Sequence, residues 1–210
     1  MAYRETEKMR QRKAEARQRI VDCTFQCVVD GGFRSARITR IADLAGVATG
    51  TIYRHFESRE DLFAGVFRLA TQREVDKVAE ALATEGNAAS RLETALRQFA
   101  ERALRGPMMA WSLIAEPVDP KVEEERLKYR KAYASLFETA IREGISEGCL
   151  PDQDARQSST CLVGAIAESL VGPLSPTQAG QNPAATPDNT DALVNSIIRF
   201  CMQGLTGTRR

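Results

Sequence analysis

Apolar side chains recur along the chain at intervals of three and four residues, which is the spacing of amphipathic α-helices. The first predicted helix spans about Arg10 to Asp30, and Gly31-Gly32 is expected to end it because glycine readily adopts the left-handed conformation that closes helices. Eight further helices are predicted at 38–45, 49–56, 59–84, 90–105, 108–115, 120–147, 154–171 and 189–205. Strand signals are absent, so the pattern predicts an all-α protein of about nine helices.

Helix starts and one long connection are marked by their own residues. Ser58 followed by Asp61 resembles a capping box, and Asp119 before Pro120 can cap the helix that follows. Residues 173–188 are rich in Pro, Ala, Asn and Gln and have almost no large apolar side chain. This stretch predicts a loop or a partly disordered connection.

Composition argues against several classes of protein. Of 210 residues 43% are hydrophobic, yet no apolar run approaches the roughly 18 to 20 residues that cross a bilayer. Residues 1–17 are charged throughout and lack the apolar core of a secretory signal, so we expect a soluble, cytoplasmic protein with no membrane partner. Five scattered cysteines without a CxxC pair predict neither a disulfide scaffold nor a metal site. Because His55 is the single histidine, we expect no cofactor and no enzyme activity.

The charges are unevenly distributed between the two parts of the chain. Residues 1–60 carry 12 Lys and Arg against 8 Asp and Glu, whereas residues 61–210 carry 17 against 20. A basic segment on an acidic remainder is typical of a nucleic-acid-binding head attached to a body with another task. The distribution fits a DNA-binding domain at 1–60 and a separate domain at 61–210. An excess of four positive charges also fits an ordinary solvated surface.

Residues 32–63, GFRSARITRIADLAGVATGTIYRHFESREDLF, are the most informative part of the sequence. A short helix, a turn centred on Gly46 and a second short helix form a helix-turn-helix unit. Four apolar side chains are expected to face its core, namely Ile41, Leu44, Ile52 and Phe56. The second helix would expose hydroxyl, guanidinium and imidazole groups, which suit phosphate oxygens and base edges. Spacing alone fits any helical hairpin with a polar face equally well.

This stretch resembles the N-terminal domain of the TetR family of bacterial one-component transcription regulators. The residues that carry the resemblance are Gly32-Phe33, Ile41-Ala42, Ala45-Gly46-Val47, Gly50-Thr51, Tyr53, His55-Phe56, Arg59-Glu60 and Leu62. The resemblance implies phosphate contacts at Tyr53, His55 and Arg59. It implies base or close-backbone contacts at Thr39, Thr49, Gly50, Thr51 and Arg54. The family's usual hydroxyl side chains that cap the two helices are replaced by Arg37 and Ala48.

The N-terminal segment, up to the first turns of the first predicted helix, is basic. It carries Arg4, Lys8, Arg10, Arg12, Lys13 and Arg17, interleaved with glutamates. Two interpretations are open: an arm that follows the phosphates or enters the minor groove, and a flexible, solubilising terminus.

Regulators of this family bind a small molecule in the C-terminal domain and form dimers through the last two helices, and the resemblance implies both for residues 61–210. We expect an adaptable apolar pocket with a few hydroxyl groups, lined by Phe67, Phe99, Met108, Met109, Trp111, Ser112, Tyr129 and Tyr133. Arg102 and Glu168 are the candidate charged contacts. We expect the dimer contact at Leu162, Ala165, Ile166, Leu193, Ile197 and Cys201. Both sets also suit an ordinary core within the chain.

Together these features predict a homodimeric repressor that binds a near-palindromic DNA operator and is released by a hydrophobic or amphipathic small-molecule effector. Two alternatives stay open. One is a helical-bundle enzyme or lipid carrier whose DNA-binding head is vestigial. The other is a nucleoid-type DNA-binding protein with weak sequence preference and no response to a ligand.

Overall fold

A computed structural model of the chain describes residues 7–176 and 187–207. These residues form nine α-helices and no β-strand, so the predicted all-α class is confirmed. The helices are α1 (Glu7–Ser35), α2 (Ile38–Ala45), α3 (Thr49–His55), α4 (Arg59–Leu82), α5 (Ala88–Arg105), α6 (Pro107–Ile114), α7 (Pro120–Ser146), α8 (Ala155–Leu174) and α9 (Pro187–Thr206). In the predicted connection at 173–188, Pro173 still belongs to α8, and residues 177–186 lie outside the described part.

The first helix is longer than the apolar stripe predicts. It begins at Glu7, so the predicted basic arm from Lys8 to Arg17 is helical, while Arg4 lies outside the described residues. The helix is interrupted at Gly32, whose φ of 76° lies in the left-handed region. A glycine adopts this conformation without the steric clash that a Cβ atom would cause, so the expected break is confirmed.

Side-chain caps fix where the long helices begin. The Ser58 hydroxyl accepts a hydrogen bond from the Asp61 backbone N–H at 3.1 Å, and the Asp119 carboxylate accepts one from the Val122 N–H at 3.1 Å. Both predicted caps are thus confirmed. Neither α2 nor α3 has a side-chain cap, as the presence of Arg37 and Ala48 at these positions suggests.

Two hydrophobic clusters organise the chain, and α4 belongs to both. The head core joins α1, α2 and α3 to the first half of α4 as far as Phe67, with Val122 of α7. The body core begins at Val78 and contains residues of α5, α7, α8 and α9. The head core continues past residue 60 into α4 and includes Val122 of α7, so it does not end at the predicted boundary. The division into domains at 1–60 and 61–210 stays a prediction.

The prediction that Leu44 faces the core of the helix-turn-helix is wrong. Leu44 is 54% exposed, whereas Ile41, Ile52 and Phe56 are buried as expected. Residues 41 and 45 already cover the face of this short helix that meets α1, and a leucine one position before Ala45 points away from it.

None of the described helices is long and apolar enough to span a membrane.

The chain approaches α7 closely at Gly144. A Cβ atom at this position would lie 2.7 Å from Leu150 Cδ1 and 3.2 Å from the Ala88 Cβ. Gly65 of α4 is a matched contrast, because a Cβ atom there would meet nothing nearer than 3.8 Å. Only one of these helical glycines is therefore required by packing.

We expect Gly144→Ala to lower the free energy of unfolding by about 1–3 kcal/mol, because the added methyl group must displace packed side chains. Gly65→Ala should instead raise it by up to about 1 kcal/mol, since alanine favours a helix more than glycine does. Urea unfolding of both variants measures the difference. Equal effects of the two substitutions would show that the close approach at Gly144 is not a packing constraint.

Candidate nucleic-acid interface and ligand cavity

The turn between α2 and α3 is closed by backbone hydrogen bonds around a left-handed glycine. Gly46 has φ 65° and ψ 36°, and its N–H lies 3.2 Å from the Asp43 carbonyl oxygen. The Val47 N–H donates to the Ala42 carbonyl oxygen at 3.0 Å. These bonds satisfy the last carbonyls of α2 and turn the chain directly into α3.

The third helix buries one side and exposes the other. Ile52 is fully buried, while Thr49, Gly50, Tyr53 and Arg54 are exposed. Thr51 and His55 are half-buried, Thr39 is exposed in the first turn of α2, and Arg59 is exposed at the start of α4. All eight residues predicted to contact DNA are therefore at least partly accessible, and their contacts with DNA stay a prediction.

Cationic side chains from α1 and α4 flank the end of this helix. The Arg17 guanidinium lies over the Phe56 ring at 4.7 Å from its centroid, and that of Arg59 lies over Phe63 at 5.0 Å. Partial burial lowers the pKa of His55, and the positive charges of Arg17 and Lys13 lower it further. The aromatic rings thus hold two guanidinium groups in place on a surface where positive charge accumulates.

A buried carboxylate joins the body to the kink in α1. Glu116, in the segment between α6 and α7, is 5% exposed and accepts hydrogen bonds from the backbone N–H groups of Phe33 and Arg34, both at 2.9 Å. A Cβ atom on Gly32 would lie 2.7 Å from a carboxylate oxygen. The glycine therefore serves two purposes, because it permits the positive φ and leaves room for Glu116. We call this contact the Glu116 clamp.

Arg126 of α7 holds the segment that carries the clamp. Its side chain is almost fully buried, and it donates to the backbone carbonyls of Glu116 at 2.8 Å, Leu113 at 3.1 Å and Ser112 at 3.3 Å, and it pairs with the Glu123 carboxylate. A guanidinium has five N–H donors in one plane, so a single side chain can bind several carbonyls at the end of a helix. The end of α6 and the position of Glu116 thus both depend on Arg126.

The same arginine contributes to the wall of a cavity among α4, α5, α6, α7 and α8. The cavity has a volume of about 190 Å³, far more than one water molecule needs, yet its lining is mostly aromatic and aliphatic. Five of the predicted ligand-binding residues line it, namely Phe67, Phe99, Met109, Tyr129 and Tyr133. An apolar cavity of this kind favours an apolar occupant over water. Ligand binding by these residues stays a prediction.

Three residues predicted for the pocket, Met108, Trp111 and Ser112, are not part of the lining. The side of α6 that faces the cavity carries Met109, Ala110, Leu113 and Ile114. Since a helix turns by about 100° per residue, the intervening positions face elsewhere. Ser112 is fully buried and donates to the Met108 carbonyl oxygen at 2.9 Å, and Trp111 packs against the body core.

Two polar residues of the lining, Thr71 and Glu74, were not predicted from the sequence, whereas Arg102, Tyr129 and Tyr133 were. Thr71 and Glu74 of α4 line the cavity together with Arg102, whose Nε donates to the Glu74 carboxylate at 2.9 Å. Burial raises the pKa of Tyr133 well above its usual value, and the negative charge of Glu74 adds to the effect. The spacing of Phe67, Thr71 and Glu74 by four and three residues is the signal that could have identified them.

An open groove adjoins the cavity between α7 and α8. It has a volume of about 350 Å³ and shares Ile114, Arg130, Val163 and Ala167 with the cavity lining. Lys131 and Glu168 also line the groove. The mainly apolar cavity is therefore continuous with a groove that is lined by charged side chains.

The structure corrects part of the expected dimer contact. Leu162, Ile166, Ile197 and Cys201 are at most 5% exposed and belong to the body core, and Ala165 and Leu193 are half-buried against it. The first four side chains are therefore occupied within the chain, which is the alternative that the spacing allowed. A dimer contact at Ala165 and Leu193 stays a prediction. The outward faces of α8 and α9 carry other residues, among them Cys161, Gly164, Gly204 and Phe200, which is 68% exposed.

Comparison with known proteins agrees with this arrangement. A family model described as bacterial regulatory proteins, tetR family, matches residues 20–66, which contain α2, the turn and α3. The fatty acid metabolism regulator protein of Bacillus subtilis (strain 168) is 22% identical over 165 residues, or 77% of this chain and 84% of that protein. The HTH-type transcriptional repressor KstR of Mycolicibacterium smegmatis is 26% identical over 132 residues, or 62% of this chain and 65% of KstR. Residues 20–66 thus match the DNA-binding domain of the tetR family.

Solved structures share the TetR-family fold over nearly the whole chain. The transcriptional regulator FadR from Bacillus subtilis, in complex with stearoyl-CoA, has a TM-score of 0.73 at 20% identity and covers 90% of this chain and 98% of its own. FadR from Bacillus halodurans also gives 0.73, at 21% identity, over 92% and 97%. KstR is named a transcriptional repressor, and FadR from Bacillus subtilis is described as a transcriptional regulator. Within the described residues, no group of three or more His, Cys, Asp or Glu side chains could hold a metal ion.

The lowered pKa of His55 predicts a specific dependence of stability on pH. The free side chain has a pKa of about 6.5, so the unfolded chain binds a proton first as the pH falls. Stability should therefore be unaffected by His55 above about pH 7.5 and decline slightly as the pH passes below 6.5. We expect the thermal midpoint to fall less between about pH 7.5 and 5.5 in His55→Gln than in the unmodified chain. Parallel curves for the two proteins would contradict this assignment.

Proposed function

We propose that this chain is a homodimeric repressor of the TetR family whose effector is a long-chain acyl compound, with a fatty acyl-CoA as the first candidate. Three findings support the acyl chain. The cavity is lined mainly by apolar side chains, one relative is named a fatty acid metabolism regulator, and a protein of the same fold is solved with stearoyl-CoA. The groove with Arg130 and Lys131 offers positive charge to the phosphates of such a ligand, just outside the apolar cavity.

A response to ligand is supported by a continuous chain of contacts that runs from the cavity through Arg126 and Glu116 to the head. Arg126 lines the cavity, binds the Glu116 carbonyl, and thereby places the carboxylate that binds the backbone after Gly32. A ligand that displaces Arg126 must also disturb the Glu116 clamp. Because α1 packs against α2 and α3 in the head core, the disturbance reaches the DNA-binding unit.

The DNA contacts follow from the family resemblance and from the exposed face of α3. We assign phosphate contacts to Tyr53, His55 and Arg59. Base or close-backbone contacts fall to Thr39, Thr49, Gly50, Thr51 and Arg54. In a symmetric dimer the two α3 helices would occupy half-sites roughly 34–36 Å apart. A protein that binds an operator works where the DNA is, so the proposal places the chain in the cytoplasm.

The dimer contact is assigned to the outward faces of α8 and α9. Phe200 is a large apolar side chain that this chain leaves 68% exposed, and burying it against a second copy would remove apolar surface from water. Gly164 and Gly204 on the same two faces allow close approach of the helices. This face replaces the buried stripe around Ile166 and Ile197.

Arg59→Gln tests the assigned phosphate contact. Loss of one contact should weaken binding to a promoter duplex on all sequences about equally and reduce the slope of log K against log salt by about 0.9. Fluorescence anisotropy of a labelled promoter duplex at several salt concentrations measures the slope. The matched control is Arg142→Gln, an exposed arginine of α7 paired with Glu138. An unchanged slope in Arg59→Gln would place that residue away from the phosphates.

Glu116→Gln tests the connection between ligand and DNA. The amide keeps the shape of the side chain but has one acceptor oxygen, so it satisfies only one of the two N–H groups in the clamp. Stearoyl-CoA should reduce operator affinity of the unmodified chain by about 5- to 150-fold. In Glu116→Gln we expect this factor to fall towards one while stearoyl-CoA still binds.

The control for this experiment is Glu124→Gln, an exposed carboxylate on the same helix as Arg126. It should leave the factor unchanged. A full response in Glu116→Gln would show that the clamp does not transmit ligand binding. A chain that binds stearoyl-CoA but no promoter duplex would be a lipid carrier, which is the alternative function.

A further inference from the structure

Two buried polar atoms on the cavity wall have no hydrogen-bond partner. They are the Thr71 hydroxyl oxygen on α4 and Nη2 of Arg102 on α5. Thr71 is only 5% exposed. Within residues 7–176 and 187–207 the third such atom is Nε of Arg91, which is not part of the cavity lining. Buried polar groups are nearly always paired, so two exceptions on the wall of one cavity indicate a missing partner.

Glu74 and Tyr133 also line the cavity. We call the four residues Thr71, Glu74, Arg102 and Tyr133 the polar corner. The positive charge of Arg102 is already balanced by Glu74, whose carboxylate oxygen lies 2.9 Å from the arginine Nε. The raised pKa keeps the Tyr133 phenol uncharged at neutral pH. The four residues of the polar corner therefore carry no net charge, and the other charged side chains of the lining, Arg126 and Arg130, belong to α7.

The unpartnered groups determine what kind of atom they can bind. A guanidinium nitrogen can only donate, and a threonine hydroxyl can donate to the same atom. The missing partner is therefore an acceptor. A second carboxylate would lie next to Glu74 and would need to lose its hydration in an apolar cavity, which is unfavourable. A neutral carbonyl oxygen avoids both penalties.

We propose that the polar corner binds the carbonyl oxygen of an acyl thioester or ester, with Thr71 and Arg102 as its hydrogen-bond donors. This inference rests on the proposed acyl effector and adds the chemical group that the cavity recognises. The acyl chain then lies along Phe67, Phe99 and Phe137. The corner thus selects for an activated acyl compound over a saturated hydrocarbon chain of the same length.

A pair of ligands that differ only in the carbonyl tests the proposal. Stearoyl-CoA has the thioester carbonyl, and S-octadecyl-CoA, the thioether, has a methylene group in its place. We expect the unmodified chain to bind stearoyl-CoA about fivefold or more tightly than the thioether, as one satisfied buried donor allows. In Thr71→Val this preference should fall to less than twofold, and in Thr71→Ser, which keeps the hydroxyl, it should persist. Isothermal titration calorimetry measures all six affinities.

The ligand-free protein provides an independent readout. Valine has the shape of threonine without the hydroxyl, so Thr71→Val removes an unsatisfied polar group and should raise the thermal midpoint by a few degrees. The matched control is Thr24→Val, because the Thr24 hydroxyl is also buried but donates to the Ile20 carbonyl oxygen at 2.7 Å. That variant should not gain stability and should keep the preference for stearoyl-CoA. A more stable variant with weaker selectivity is a combination that a purely structural role of Thr71 would not produce.

The outcomes separate the two proposals. If the unmodified chain binds both ligands but Thr71→Val keeps the full preference for stearoyl-CoA, the polar corner is not the carbonyl site, and the acyl effector stands. Equal binding of the two ligands by the unmodified chain has the same meaning. If the unmodified chain binds neither ligand, the acyl effector is wrong, and the assignment of the polar corner is overturned with it.

Discussion

The structure depends on one buried carboxylate. Burying a charge is unfavourable unless hydrogen bonds replace the lost water, and Glu116 obtains them from two backbone N–H groups that are free because α1 breaks at Gly32. Its own carbonyl oxygen is held by Arg126. The kink in α1, the segment after α6 and the middle of α7 therefore fix one another. None of the three could change without leaving a buried polar group unpaired.

A second connection between head and body is made of aromatic rings. Phe33, next to the clamp, contacts Phe67 of α4 at a centroid distance of 6.3 Å, and Phe67 contacts Tyr129 of α7 at the same distance. Phe67 and Tyr129 line the cavity, and the Tyr129 hydroxyl donates to the Arg68 carbonyl oxygen at 3.1 Å. Packed rings cannot move independently because the interior has little free volume. A displacement of the rings that line the cavity therefore also displaces Phe33, the residue of α1 whose backbone the clamp holds.

Local patterns in the sequence predicted local structure well. Three kinds of feature depend on interactions within a few residues. They are the break in α1 at Gly31-Gly32, the caps at Ser58 and Asp119, and the turn at Gly46. The clamp could not be predicted in this way, since Glu116 and Phe33 are 83 residues apart. No periodicity marks a carboxylate whose partners are backbone groups of a distant turn.

The errors in the body have a different physical origin. Periodicity shows that one side of a helix is buried but does not show what covers it. The apolar stripes of α8 and α9 were assigned to a partner chain, yet Ile166 and Ile197 belong to the core of their own chain. In α6, nearly every residue is apolar, so no contrast distinguished the cavity side with Met109 from the side with Trp111. Where both sides of a helix are apolar, only the tertiary structure assigns them.

The proposed regulation follows from how the cavity and the clamp share Arg126. In the structure Arg126 binds three backbone carbonyls and the clamp is complete, whereas two polar atoms of the cavity wall have no hydrogen-bond partner. A ligand can shift a conformational equilibrium only by the difference in its affinity for the two states. A carbonyl that pairs the free donors, together with an acyl chain that fills the apolar volume, favours the liganded state. If the ligand also displaces Arg126, part of this binding free energy is used to break the Glu116 clamp. Groups satisfied in one state and unsatisfied in the other are what a two-state regulator requires.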